Sequence, residues 1–103
     1  MDRIALLTQL GYNNDEANLS KLERIFNNTD GLSAQSVIAL SDHLKPHLCF
    51  VAMSGSVDRL KIKNTATVAE IKSAVDEIIA KWAEKNKLSL EKVNEKTYYI
   101  LGK

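Results

Sequence analysis

Hydropathy along these 103 residues switches once, from helical spacing in the first half to strand alternation plus one long amphipathic stripe in the second. That switch predicts an α+β fold. Three observations carry it. Short apolar stripes before residue 46 each end at a breaker, residues 57–63 alternate with period two, and Val68, Ile71, Val75, Ile78 and Trp82 recur at helical intervals. The expected order is three short N-terminal helices, then ββαβ. A small three-stranded, mainly antiparallel sheet is packed by one long helix over about 67–86. The length predicts a single domain over 1–103, with a helical part over 1–46 and a ββαβ part over 47–103.

Each element has a local reason. Ile4, Leu7 and Leu10 form the first stripe, and Gly11 supplies the left-handed stop. Asn14 or Asp15 caps a second helix with the face Leu19, Leu22, Ile25 and Phe26, ending before Asn27-Asn28. Asp30-Gly31 turns the chain, Ser33 caps a third helix through Val37, Leu40 and Leu44, and Pro46 closes it. Residues 47–54 are apolar on both alternating faces, which predicts a strand covered on both sides. Residues 57–63 place Leu60 and Ile62 inward and Arg59, Lys61 and Lys63 outward. Thr67-Val68-Ala69-Glu70 has the capping-box pattern for the long helix. Ser89 is expected to cap a short further turn, and residues 97–101 form a terminal strand by β-branched and aromatic content.

Residues 50–75 resemble the opening of ubiquitin-like β-grasp domains: a hairpin turned at a glycine, then Thr-Val and Ile-Lys on an amphipathic helix. Residues 99–103 look like the third strand of such domains and its following glycine. Leu10-Gly11-Tyr12 with Glu16-Ala17 resembles the loop of small ubiquitin-associated three-helix domains. The likeness spans about half the chain, the long helix is about two turns longer than the β-grasp pattern, and no functional residue is carried over.

Charge and cysteine content bound the function. Fourteen Lys and Arg against thirteen Asp and Glu leave +1, without the basic excess of a dedicated nucleic-acid binder. Residues 1–50 carry four basic and six acidic side chains (−2), and residues 51–103 carry ten and seven (+3). One cysteine, no apolar run long enough to cross a bilayer and no signal-peptide pattern make a cytoplasmic location the expectation. Asp42, His43, His47 and Cys49 are the only grouping with ligand or nucleophile chemistry. Pro46 breaks the register that would join the histidines, so no cofactor, metal or catalytic residue is expected.

The expected role is therefore a small noncatalytic protein-interaction or assembly module. Its surface is expected at Arg59, Lys61, Lys63, Tyr98 and Tyr99, with an unknown protein partner or self-association and no membrane. Residues 98–101 carry no charge, so the terminal strand either offers an edge for pairing or homodimerisation or lies inside the sheet with its side chains packed on Ile78 and Trp82. The alternative is nucleic-acid binding through the basic face of strand 57–63, which the near-neutral net charge disfavours.

Overall fold

A computed structural model describes residues 2–102. Among these residues four α-helices, α1 (Asp2–Leu10), α2 (Glu16–Asn28), α3 (Ala34–Leu44) and α4 (Ala69–Asn86), accompany four strands, β1 (Phe50–Met53), β2 (Leu60–Lys63), β3 (Ser89–Asn94) and β4 (Thr97–Gly102). The class is α+β. The sheet has four strands in the order β1-β2-β4-β3, with every neighbouring pair antiparallel.

The N-terminal helices begin and end for the local reasons expected of them. The Asp15 carboxylate accepts the Asn18 amide at 2.8 Å, and the Ser33 hydroxyl accepts the Ser36 amide at 3.2 Å. Each satisfies one of the donors a helix start leaves orphaned. Gly11, at φ +88°, ends α1 while Tyr12 N–H donates back to Leu7 O. Helix α1 buries Leu6 and Leu7 and leaves Ile4 exposed, so its inward stripe is rotated from the expected one.

The expected three-stranded sheet is corrected by β3. Ser89 opens a strand rather than a helical turn, and β3 pairs along β4 with two register irregularities. This places β4 between β2 and β3, so residues 98–101 lie inside the sheet and present no free edge. The actual edges are β1 and β3. Edge β3 is exposed, broken in register and carries Glu91 and Lys92, features that discourage further pairing. On β1, Met53 N–H donates to the Tyr12 hydroxyl at 3.0 Å, occupying a donor that β2 does not reach.

Helix packing explains which face is the core. Val51, Met53, Leu60, Ile62 and Ile100 share one sheet face and are buried with α1–α4 residues in one cluster. Phe50, Ala52, Lys61, Lys63, Tyr99 and Leu101 alternate onto the other face, which no helix among the described residues covers. Strand β1 is therefore half-buried, not covered on both sides. Phe50 is on the open face and is not among the residues α4 packs against.

Helix α4 also departs from its expected stripe. It buries Val75, Ile79, Trp82 and Ala83, while Val68 and Ile71 are exposed. Val68 is the N-cap residue with no side-chain bond, so Thr67 does not form the capping box. The entry to α4 is organised instead by Asn64, which is wholly buried. Its Nδ2 donates to Lys72 O at 3.1 Å and Asp76 Oδ1 at 2.9 Å, and its Oδ1 accepts the Ala66 amide at 3.3 Å. At the other end of the helix, Trp82 Nε1–H donates to Ser36 O at 2.8 Å, joining α4 to α3.

The last strand is locked by one glycine. Gly102 has φ +98°, and a Cβ there would lie 2.8 Å from Asp30 N, so the α2–α3 connection rests directly on the end of β4.

Candidate interaction surfaces

The five residues expected to form a surface separate into three groups. Lys61, Lys63 and Tyr99 come together on the open sheet face, with Lys61 opposite Tyr99 and Lys63 opposite Thr97. Phe50 stands opposite Lys63 on the neighbouring strand and adds a second aromatic ring to that face. Lys63 Nζ donates to Thr97 Oγ1 at 2.7 Å, which holds its ammonium along the sheet. Arg59 precedes β2 and its Nη1 donates to Leu101 O at 3.1 Å and Ile100 O at 3.5 Å, so part of its guanidinium is spent holding the end of β4.

Tyr98 is on the opposite face. Adjacent strand residues point to opposite sides, and Tyr98 turns towards α4, where its hydroxyl donates to Asp76 Oδ1 at 3.0 Å. Partial burial, then the bond to Asp76 and its negative charge, raises the Tyr98 hydroxyl above the usual tyrosine range. Tyr99 shifts the other way. Hydrogen bonds from Ser54 and then Ser56 lower it, with the Lys61 charge adding to the effect.

Cys49 is buried, and its thiol donates weakly to His47 O at 3.5 Å and Asn64 Oδ1 at 3.6 Å. His43 lines a cleft of about 340 Å³ between α3 and α4, beside Trp82, while His47 lines a different cleft. Among the described residues no three His, Cys, Asp or Glu side chains are grouped to hold a metal. Also among them, no helix is long and apolar enough to cross a membrane.

The feature that periodicity missed lies where α3 gives way to β1. A single 3₁₀ turn, residues 45–47, contains Pro46 and ends at Leu48 in the left-handed region (φ +59°, ψ +24°). The conformation is imposed by its neighbours: Leu48 N–H donates to Lys45 O, Cys49 N–H to Leu44 O, and Leu48 O accepts the Thr65 hydroxyl at 3.1 Å. Leu48 is 84% exposed. Beside it, Val68 (53%) and Ile71 (42%) expose the first turn of α4. Together they border a shallow cleft of about 240 Å³ closed by His47 and Thr65–Thr67. Phe50, two residues beyond Leu48, extends exposed apolar surface onto the open sheet face. Lys72 follows Ile71 and Lys45 precedes Leu48 by three residues, against Glu70 beside Ile71, while the Lys63 ammonium opposite Phe50 is held towards β4 by Thr97.

The signal for this patch was present in the sequence as Pro46 followed by Leu48, a proline turn running straight into an apolar residue. Strict alternation from residue 47 masked it. No family model matches the chain, and no curated protein or solved structure matches it either.

Proposed function

We propose that this protein is a noncatalytic interaction module that docks an acidic segment of a partner protein, anchored by apolar side chains, on the Leu48–Val68–Ile71 patch. One observation carries the reading: a leucine held in left-handed backbone with its side chain in solvent. For a residue with a Cβ that conformation costs about 1–2 kcal/mol, and here no burial of the side chain offsets it. The turn's own hydrogen bonds account for the backbone state, which Lys87 shares; they do not account for an apolar side chain left in solvent beside Val68 and Ile71, and an apolar patch of that kind points to a surface used in binding. Charge selects the partner. Two lysines, Lys45 and Lys72, against one glutamate favour an acidic segment, and two copies of the patch would oppose their own lysines.

Selection of random peptides on the immobilised protein tests this, with Leu48→Asp protein as the counter-selection. Enriched peptides carrying two or more large apolar residues among Asp and Glu, and losing affinity at least tenfold on the variant, support it. Peptides that bind both proteins equally, or no enrichment, refute it. A patch that binds a second copy instead would appear as a mass increase with concentration that Leu48→Asp abolishes.

A second reading has its own observation. Phe50 and Tyr99 flank Lys61 and Lys63 on an uncovered antiparallel sheet, an arrangement on which single-stranded nucleic acid can stack bases between cations. Titration with single-stranded RNA and DNA at low salt tests it. Binding that weakens steeply with salt and is lost in Tyr99→Ala supports this reading, and no binding at low salt removes it.

A further inference from the structure

Ser54 to Arg59 connects β1 to β2 and faces the flank of α2 across a polar cleft of about 610 Å³. We propose that this cleft is a binding site for a phosphate monoester, a site separate from the apolar patch and independent of what docks there.

The donors are already arranged. Ser54 is buried, and its hydroxyl accepts the Ser56 amide at 3.3 Å and meets the Ser56 and Tyr99 hydroxyls at 3.3 and 3.4 Å. Two of these hydroxyls, those of Ser54 and Ser56, line the cleft. The turn spends its other bonds on closing itself, Ser54 N–H to Arg59 O and Arg59 N–H to Val57 O. The amides of Gly55, Val57 and Asp58 have no acceptor among the described residues. A Cβ at Gly55 would meet nothing within 4 Å, so the approach to the turn is open.

Charge points the same way. Lys21, Arg24 and Arg59 line the cleft against one carboxylate, Asp58, for a balance of +2. Asp58 is already engaged, its Oδ2 3.5 Å from Arg24 Nε, and Asn28 Nδ2 donates to the Asp58 carbonyl at 3.4 Å. Among the described residues Lys21 and Arg59 are half-buried and have no ion-pair partner within 4 Å. Arg59 spends Nη1 on the end of β4, and the cations, free backbone amides and hydroxyls lining one cleft match a dianion with three acceptor oxygens better than a carboxylate with two. The cleft leaves room beyond the phosphate for the rest of a small ligand.

Amide chemical shifts of the whole protein, followed during titration with inorganic phosphate at constant ionic strength, test the site. The expected result is saturable movement of Gly55, Ser56, Val57 and Asp58, with a midpoint weakened about tenfold by Lys21→Glu and less by Lys21→Gln. Formate should give at most weak movement. Shifts that do not saturate, that are unchanged in a folded Lys21→Gln protein, or that formate reproduces at the same midpoint overturn the proposal. Leu48→Asp should leave the phosphate response intact, which separates failure here from failure of the docking surface.

Discussion

Replacing Asn64 by alanine removes a side chain that ties β2 to the start of α4 from a position without solvent access. Three strong bonds go with it, to Lys72 O, to the Asp76 carboxylate and from the Ala66 amide, along with a weak one from the Cys49 thiol. Two are neutral, worth about 0.5–1.5 kcal/mol each, and one is to a carboxylate, worth about 1.5–3 kcal/mol. Water entering the space recovers part of that sum, which leaves a loss of about 3 kcal/mol, a large share of the roughly 5–15 kcal/mol that holds a domain of this size. Trp82 is the sole tryptophan and is nine-tenths buried, so its fluorescence reports unfolding without a label. At a urea m-value near 2 kcal/mol per molar the midpoint should fall by about 1.5 M. Asn64→Asp places a second carboxyl against Asp76. Buried and against the Asp76 charge, the new carboxyl has a folded-state pKa raised above its unfolded value, so that variant should be least impaired in acid and lose stability as pH rises. A midpoint within about 0.3 M of the parent for Asn64→Ala would refute the role given to this residue, because so small a change corresponds to less than one hydrogen bond.

Trp82→Ala should cost about 3–5 kcal/mol, and Trp82→Phe about 1 kcal/mol or more, since it removes the bond to Ser36 O, as read by circular dichroism melting. Thr67→Ala should be neutral within about 0.5 kcal/mol in the same assay, because Thr67 is exposed and caps nothing. Tyr98→Phe should flatten the alkaline limb of the stability profile. The folded hydroxyl titrates above its unfolded value, so its contribution is complete below about pH 10 and is lost as pH climbs through the raised folded value. A parent profile that does not steepen above the variant's in that range would contradict the contact with Asp76.

What the sequence disclosed follows from how local each cause is. The Asp15 and Ser33 caps are decided by three neighbouring residues and were legible. Strand β3 was not, because Leu90 and Val93 show no alternation and the segment is a strand only through its pairing with β4. The Thr67 capping pattern is equally local, yet Asn64 fixes the entry one residue later by holding the Ala66 amide and the Lys72 carbonyl. On the candidate surface, the grouping of Lys61 with Lys63 was readable from period two. The same rule separates Tyr98 from Tyr99 onto opposite faces. Leu48 escaped because its backbone state is set by the turn through Pro46 and the bond from Thr65, neither of which hydropathy records.

Leu48→Gly puts the docking surface to its most direct test, since stability and binding should move in opposite directions. Glycine relieves about 1–2 kcal/mol of left-handed strain and adds about 0.5–1 kcal/mol of unfolded-state freedom, for a net gain of about 0.5–1 kcal/mol. Lys87, also left-handed at φ +57° and exposed, serves as the control, and Lys87→Gly should gain similarly. Peptides selected on the parent should bind Leu48→Gly at least tenfold more weakly and Lys87→Gly with unchanged affinity. A Leu48→Gly protein that binds as tightly as the parent, or that is destabilised while Lys87→Gly is stabilised, would contradict the account.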